Sequence, residues 1–266
     1  SGQCSRAKPK EAVIISSSQK KHIPNTLTCC NLLAGCVATW LAFRHQFQAA
    51  FLFIVIGALF DFFDGFAARL LRVSSAIGKE LDSLADNITF GFAPAAIVFS
   101  LLQTLFSPAT MPTGCPLAEM PGAEYLPYLA FLIAPFSALR LAKFNLDERQ
   151  TTTFIGLPTP ANALFWGSLA TSLDEGGWLS GEPWVGLVLL PAIFLSCWLL
   201  VCEIPMFALK FKTYGLQGNI LRYSFILCSL ILLCGLGWVG FSAIIVLYVF
   251  TSIMNNIIGT KMVEIE

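Results

Sequence analysis

The stretch QAAFLFIVIGALFDFFDGFAARLL, residues 48–71, is apolar along most of its 24 positions, and its charged residues are Asp61, Asp64 and Arg69. In an α-helix, which rises 1.5 Å per residue, about 20 residues cross the hydrocarbon core of a bilayer. The stretch therefore predicts a transmembrane helix. Because charged side chains inside such a helix are costly, the two aspartates also indicate a functional site.

Seven further apolar runs lie on either side of this stretch, separated by Pro, Gly and polar residues. They cover residues 26–43, 83–106, 126–145, 159–173, 184–205, 219–235 and 238–256. The 266-residue chain is 56% apolar and 12% charged, whereas soluble domains are about 25% charged. Its mean hydropathy of +0.73 agrees with this, and the composition excludes a soluble protein. We expect an all-α polytopic transmembrane bundle of about eight helices.

The basic residues predict the orientation of the bundle. With both termini in the cytoplasm, 15 of the 16 Lys and Arg residues lie on that side, and Arg44 is the exception. Loops 107–125 and 174–183 contain acidic residues but neither Lys nor Arg. Because cytoplasmic loops are enriched in basic residues, we expect both termini in the cytoplasm and a site facing it from the cell (inner) membrane. The formal net charge of zero argues against a nucleic-acid partner.

The N-terminal segment differs in character from the rest of the chain. Residues 1–21 are largely polar, and we expect part of this segment to come from expression rather than from the native protein. Residues 22–266 are expected to form a single membrane domain.

Four aspartates lie on two of the predicted helices. Asp61 and Asp64 are about 60° apart around the second helix, and Asp82 and Asp86 are about 40° apart around the third. Both pairs reach similar depths near one interface. Four converging carboxylates cannot all stay ionised without cations, and an all-oxygen cluster suits two Mg²⁺ or Mn²⁺ ions of the kind used in phosphoryl transfer. The alternative is four separate aspartates that cap helix ends or pair with the basic residues between the helices.

The segment DFFDGFAARLLRVSSAIGKELDSLAD, Asp61 to Asp86, matches the pattern D-x2-D-G-x2-A-R-x8-G-x3-D-x3-D at every fixed position. In this pattern it resembles the CDP-alcohol phosphatidyltransferases. Four flanking stretches are similar to the integral-membrane branch of that family that uses serine as the acceptor. They are HIPNTLTCCNLLAG, SLADNITFGFAPA, RLAKFN and GLPTPANA. The resemblance covers about residues 22–165.

This resemblance implies that a homodimer transfers the phosphatidyl group of CDP-diacylglycerol to the hydroxyl of L-serine in the membrane and releases CMP. It implies that Asp61, Asp64, Asp82 and Asp86 hold metal, and that Asp86 also accepts the proton. The residues expected to contact CDP-diacylglycerol are Pro24, Asn25, Thr28, Gly65, Ala68, Arg69, Ser75 and Gly78. The assignments of Arg69 and Gly65 also follow from residue type. A guanidinium can donate two hydrogen bonds to one phosphate, and a glycine permits close approach of the backbone.

A zwitterionic amino acid needs a cation for its carboxylate, and the end of the fourth predicted helix carries Arg140, Lys143 and Asn145. These three are candidate serine-binding residues, together with Thr89, which stands where the family has Ser in an SFG triplet. The alternative for the two basic residues is anchoring at the cytoplasmic face of the membrane.

Two other functions are consistent with parts of the sequence. The same chemistry could use glycerol phosphate, inositol phosphate or another alcohol, although a phosphorylated acceptor would call for a further basic cluster. A cation transporter could use the carboxylates as an ion site. Such a transporter should have discontinuous helices and an inverted repeat, and we find neither in the sequence.

Overall fold

The apolar runs of the sequence form helices. The computed structural model describes residues 17–73, 75–107, 122–147, 154–174, 184–206, 215 and 219–263. The helices are α1 (Ser17–Phe43), α2 (Phe47–Leu71), α3 (Ala76–Asp86), α4 (Ala93–Leu105), α5 (Ile133–Leu146), α6 (Thr159–Asp174), α7 (Trp184–Val201), α8 (Ile220–Leu236) and α9 (Trp238–Val263). A π-helical segment, Asn87–Phe92, joins α3 to α4, and a 3₁₀ segment, Ala123–Leu132, leads into α5.

These elements confirm the all-α expectation. In the part of the chain that the structure describes, they form eight continuous helical segments, and six of these are long and apolar enough to cross a membrane. The other two are α6 and α8, of 16 and 17 residues. The chain is therefore a multi-pass integral membrane protein. Two short strands that the sequence did not predict, β1 (Phe154–Ile155) and β2 (Pro205–Met206), pair antiparallel near the ends of α5 and α7.

The first and third helical segments begin earlier than their apolar runs. α1 begins at Ser17 and passes without a break through the expected domain boundary at residue 22; residues 1–16 lie outside the described part. α3 begins at Ala76, where the Ser75 hydroxyl accepts a hydrogen bond from the Gly78 amide at 2.9 Å and caps the helix. The first turns of this helix carry charged residues and precede the third apolar run, which begins at residue 83.

α4 is the central helix of the bundle. All of its residues from Ala93 to Leu102 are buried, and it packs against α1, α2, α5, α6 and α7. The outer helices expose large apolar side chains, for example Leu59 on α2 and Phe194 on α7, as expected of surfaces that face lipid. α8 packs on α9, and α9 packs on α6.

Lipid is as apolar as the bundle interior, so small residues and interhelical hydrogen bonds must hold the helices together. The indole N–H of Trp166 on α6 donates to the Ser196 hydroxyl on α7 at 3.1 Å. The hydroxyl of Ser242 on α9 donates to the carbonyl of Phe165 at 2.9 Å. Gly167 lets α6 approach α2, because a Cβ there would lie 2.6 Å from a carbon of the fully buried Phe51 ring.

We predict that Gly167→Leu lowers the melting temperature of the purified protein, because the new side chain displaces the Phe51 ring from its contacts with Trp238 and Phe241. Overpacking of this kind costs about 1–3 kcal/mol. The matched control is Gly235→Leu, since nothing lies within 4 Å of a Cβ at that position on the exposed face of α8. An equal melting temperature for Gly167→Leu and the control, measured in one detergent, would contradict this packing role.

Candidate active site between α1, α2 and α3

Three of the four motif aspartates come together at one point. Asp61 and Asp64 lie one turn apart on α2 and face Asp82 on α3, and each contributes one carboxylate oxygen to a group in which all oxygens lie within 4.8 Å of one another. Asp86 lies one turn beyond Asp82, at the end of α3. The fixed spacing of the motif therefore places carboxylates of α2 and α3, two helices that both pack on α1, at one point.

The alternative of separate capping or ion-paired aspartates does not fit this geometry. α3 is capped by Ser75, and Asp86, which leads into the π-helical segment, makes no side-chain cap hydrogen bond. Arg69 and Arg72 are exposed, and Lys79 Nζ donates to the backbone carbonyl of Asn145 at 3.3 Å. Among the described residues, no Lys or Arg forms an ion pair with any of the four aspartates.

The cluster formed by the carboxylates of Asp61, Asp64 and Asp82 fits a divalent cation. Oxygens on opposite sides of a bound Mg²⁺ or Ca²⁺ lie about 4–5 Å apart, which is close to the separation found here. The buried Oδ1 of Asp82 has no hydrogen-bond partner in the described part of the chain, although buried carboxylate oxygens are normally satisfied. A cation of the oxygen-binding type would satisfy it and reduce the repulsion among the three carboxylates.

α1 supports this cluster from one side. The Thr28 hydroxyl donates to Oδ2 of Asp64 at 2.6 Å, and three residues later Nδ2 of Asn31 donates to Oδ1 of Asp86 at 3.0 Å. Residues three apart lie on the same face of a helix. One face of α1 therefore contacts an aspartate on each of the two acidic helices.

A pocket of about 220 Å³ opens beside the carboxylates between α1, α2 and α3. Its walls include Asp64 and Asp82 together with seven of the eight residues expected to contact CDP-diacylglycerol. These seven are Pro24, Asn25, Thr28, Gly65, Ala68, Ser75 and Gly78. The eighth, Arg69, does not line the pocket and is exposed.

Two glycines shape this pocket in different ways. A Cβ at Gly78 would lie 2.9 Å from Ser75 Oγ and 3.0 Å from Asn25 Oδ1, so this glycine lets α3 approach α1. A Cβ at Gly65 would meet nothing within 4 Å and would project into open space. Gly65 therefore keeps the pocket open rather than keeping two helices close.

The four candidate serine-binding residues separate into three environments. Arg140 and Lys143 line a second pocket of about 390 Å³, which also includes Asp147 and Glu203 and shares no lining residue with the first. Asn145 instead links α5 to α3, where its Nδ2 donates to Ser83 Oγ at 2.7 Å.

Thr89 lies in the bundle interior. It is fully buried, lines neither pocket, and donates its hydroxyl to the backbone carbonyl of Asn31 at 2.9 Å. This hydrogen bond links the π-helical segment to α1, and acceptor contact by Thr89 stays a prediction.

Arg140 connects the second pocket to the aspartates. It is 7% exposed, interacts electrostatically with Asp86, and donates from Nη1 to Thr159 Oγ1 at 3.3 Å. Its Nε is buried without a hydrogen-bond partner among the described residues. A guanidinium held in this way retains an unused donor at the junction of the two regions.

Sequence reasoning assigned no role to several polar residues around Arg140. Buried side-chain atoms without a hydrogen-bond partner in the described ranges occur on Asn87, Ser137 and Asn162. A Cβ at Gly91 would lie 2.8 Å from Asn87 Oδ1 and 3.0 Å from Ser137 Cβ, so these two residues are neighbours. The signal in the sequence that could have identified them was an amide or hydroxyl within an apolar run. Such a polar group is costly in a membrane unless it has a function.

An acidic, metal-compatible cluster in a membrane bundle, with a pocket on one side, is the site expected of a membrane-embedded phosphotransferase. A sequence model of the CDP-alcohol phosphatidyltransferase family matches residues 21–209, and the chain belongs to this family.

Similar proteins include several named CDP-diacylglycerol–serine O-phosphatidyltransferase. The Bacillus subtilis protein is 37% identical over 139 residues, covering 52% of this chain and 70% of that protein. The Mycobacterium leprae protein is 34% identical over 200 residues, covering 69% of this chain and 57% of that protein. The Saccharomyces cerevisiae protein is 42% identical over 178 residues, covering 60% of this chain and 58% of that protein. The matches therefore span little more than half of the last two relatives.

We predict that Gly65→Leu blocks the first pocket without unfolding the protein, because the new side chain has open space to enter. The Michaelis constant for the CDP-linked donor should rise at least about tenfold, which corresponds to about 1.4 kcal/mol of lost binding. The melting temperature should stay at the wild-type value, as it should for Gly235→Leu. Unchanged donor kinetics in Gly65→Leu would remove this pocket from donor binding.

Proposed function

We propose that this protein transfers the phosphatidyl group of CDP-diacylglycerol to the hydroxyl of L-serine, giving phosphatidylserine and CMP. The observation that carries the proposal is the cluster of three motif carboxylates beside a pocket lined by Asp64 and Asp82. A second pocket contains charges of both signs, and Arg140 is one of its lining residues. The names of the similar proteins support serine as the acceptor.

On the donor side, the first pocket receives the CDP moiety. Gly65 and Ala68 leave space along α2, while Asn25 and Ser75 present polar groups from α1 and from the start of α3. Arg69 is exposed next to this pocket, and its long guanidinium side chain is proposed to fold over the diphosphate. Asp64 and Asp82 also line this pocket.

Asp61, Asp64 and Asp82 would hold a divalent cation, either Mg²⁺ or Mn²⁺, and a second ion would also need Asp86. Such ions neutralise the diphosphate and stabilise the charge that develops on the departing CMP. The Thr28 hydroxyl donates to Asp64 from α1 and would hold this carboxylate in position as a ligand.

Asp86 is the proposed proton acceptor. A serine hydroxyl is a weak nucleophile near neutral pH, so its proton must pass to a positioned base as its oxygen bonds to phosphorus and the bond to the CMP oxygen breaks. His22 and His45 do not compete for this role. His22 is exposed near the start of α1, and His45 contacts Thr104 at the opposite end of the bundle.

The second pocket is the proposed acceptor site. Arg140 would bind the serine carboxylate through its guanidinium, while Lys143 lies nearer the surface. Asp147 and Glu203 add acidic groups to the same pocket. A lining with both signs of charge suits a zwitterion, whereas a doubly charged phosphorylated acceptor would be repelled by the acidic groups.

Orientation and assembly remain part of the proposal. The distribution of Lys and Arg supports both termini in the cytoplasm and the two pockets at the cytoplasmic side of the cell membrane, where serine is available. A homodimer is proposed from the family resemblance. The exposed apolar residues of the outer helices leave ample surface for lipid and for a second copy.

The function is tested by incubating purified protein with CDP-diacylglycerol and a panel of acceptors, following CMP release and the lipid product. We expect phosphatidylserine from L-serine and little product from glycerol phosphate or inositol phosphate. Excess EDTA should abolish activity, and Mg²⁺ or Mn²⁺ should restore it, because the carboxylates without a cation would repel the diphosphate.

Efficient use of a phosphorylated acceptor, with none of serine, would replace the proposed acceptor. Full activity in EDTA would remove the metal. Cation flux through the protein in sealed vesicles, without CMP release, would favour the transporter.

Arg140→Ala should raise the Michaelis constant for L-serine by about 10- to 100-fold, the range expected for losing a hydrogen bond to a charged group. The Michaelis constant for CDP-diacylglycerol should change little. Arg44→Ala is the control, because Arg44 is also a basic residue but lies over the Trp40 ring at the opposite end of the bundle. Because the assay uses purified protein, an anchoring role for Arg140 predicts unchanged serine kinetics and is thereby distinguished.

A further inference from the structure

Asn31 is a buried amide that the donor pocket does not use. It lies on α1, is 0% exposed, and lines neither pocket. Its Nδ2 donates a hydrogen bond of 3.0 Å to Oδ1 of Asp86 on α3. Burying an amide in an apolar bundle is costly unless its hydrogen bonds compensate, so its bond to a carboxylate of the site indicates a use.

The residues around Asn31 restrict its movement. Its backbone carbonyl accepts the hydroxyl of Thr89, which lies three residues after Asp86 in the π-helical segment. On the other side, a Cβ at Gly57 of α2 would lie 3.0 Å from Asn31 Oδ1 and 2.5 Å from Thr89 Cγ2. Three helical segments thus enclose Asn31 and Thr89.

The charge on Asp86 fixes which end of the amide faces it. If the amide were turned over, its oxygen would face a carboxylate oxygen, and two acceptors would repel each other. In the observed orientation the N–H donates to Asp86, and Oδ1 has no hydrogen-bond partner within the described ranges. The amide therefore has one electrostatically favourable orientation.

We propose that Asn31 is a positioning residue that holds Asp86 in the rotamer needed for catalysis. The hydrogen bond occupies Oδ1 of Asp86 and leaves Oδ2 for the acceptor hydroxyl. This inference rests on the proposed function, because it takes Asp86 as the proton acceptor. A base fixed in this way loses no rotamer freedom at the moment of reaction, whereas an unsupported carboxylate would sample several rotamers.

The test is a double-mutant cycle of Asn31→Ala and Asp86→Asn, with CMP release measured for the wild type, both single variants and the double variant. Loss of a supporting hydrogen bond typically costs about 10- to 100-fold, and we expect kcat of Asn31→Ala to fall by this factor. The Michaelis constant for CDP-diacylglycerol should stay within about twofold to threefold of the wild type. In the Asp86→Asn background, Asn31→Ala should have almost no further effect on kcat.

Thr39→Val is the matched control. Thr39 is on the same helix, but its hydroxyl donates to the carbonyl of Gly35 within α1 at 2.9 Å, so its loss should leave kcat unchanged. A full additional loss from Asn31→Ala in the Asp86→Asn background would overturn the proposal, as would an unchanged kcat in Asn31→Ala alone.

A second variant tests the proposal in case Asn31→Ala does not fold. Asn31→Ser keeps a hydroxyl but is too short to reach Asp86, so it should fold and reproduce the loss of kcat. If neither variant folds, Asn31 is a structural residue and the proposal is wrong. The cycle can be run with any acceptor that releases CMP, so the absence of serine transfer would refute the proposed function without deciding the role of Asn31.

Discussion

Mutual repulsion of carboxylates in an apolar bundle is the constraint around which this structure is organised. Asp61, Asp64 and Asp82 contribute oxygens within 4.8 Å of one another, and no Lys or Arg of the described residues pairs with them. Like charges at this separation oppose the approach of the acidic faces of α2 and α3, which both pack on α1. Their approach is consistent with a bound cation, and it is assisted by hydrogen bonds from α1 to two of the motif aspartates.

Much of the fold and part of the site could be predicted from local sequence. Length and composition are sufficient to identify membrane helices, because the bilayer imposes a minimum apolar length. The spacing of Asp61, Asp64 and Asp82 is sufficient to predict their convergence, since helix periodicity fixes which residues share a face. The small residues Gly65 and Ala68 were assigned by motif position, and both line the pocket beside the carboxylates.

The features that were missed depend on contacts between distant segments. Nothing local predicts the π-helical turn after Asp86, which changes the direction of the following side chains by widening one turn of the helix. Thr89 lies in this turn, and a hydroxyl that was expected at the acceptor is instead bonded to the backbone of α1. Asn31 and Asn162 were not assigned because the role of an amide side chain depends on its neighbours in the folded structure, which the local sequence does not show. Arg69 was assigned by motif position; it is exposed and does not line the pocket, so its contact with the donor stays a prediction.

The separation of the two pockets has a consequence for the order of events. Their linings have no residue in common, one set coming from α1 to α3 and the other chiefly from the ends of α5 and α7. Under the proposed assignment, a lipid donor in the first pocket and a water-soluble acceptor in the second would not compete for the same space. Both could then be bound together, which favours a ternary complex and a single direct displacement over a sequence in which the chain itself carries the phosphatidyl group. A change in the concentration of one substrate would then not block binding of the other.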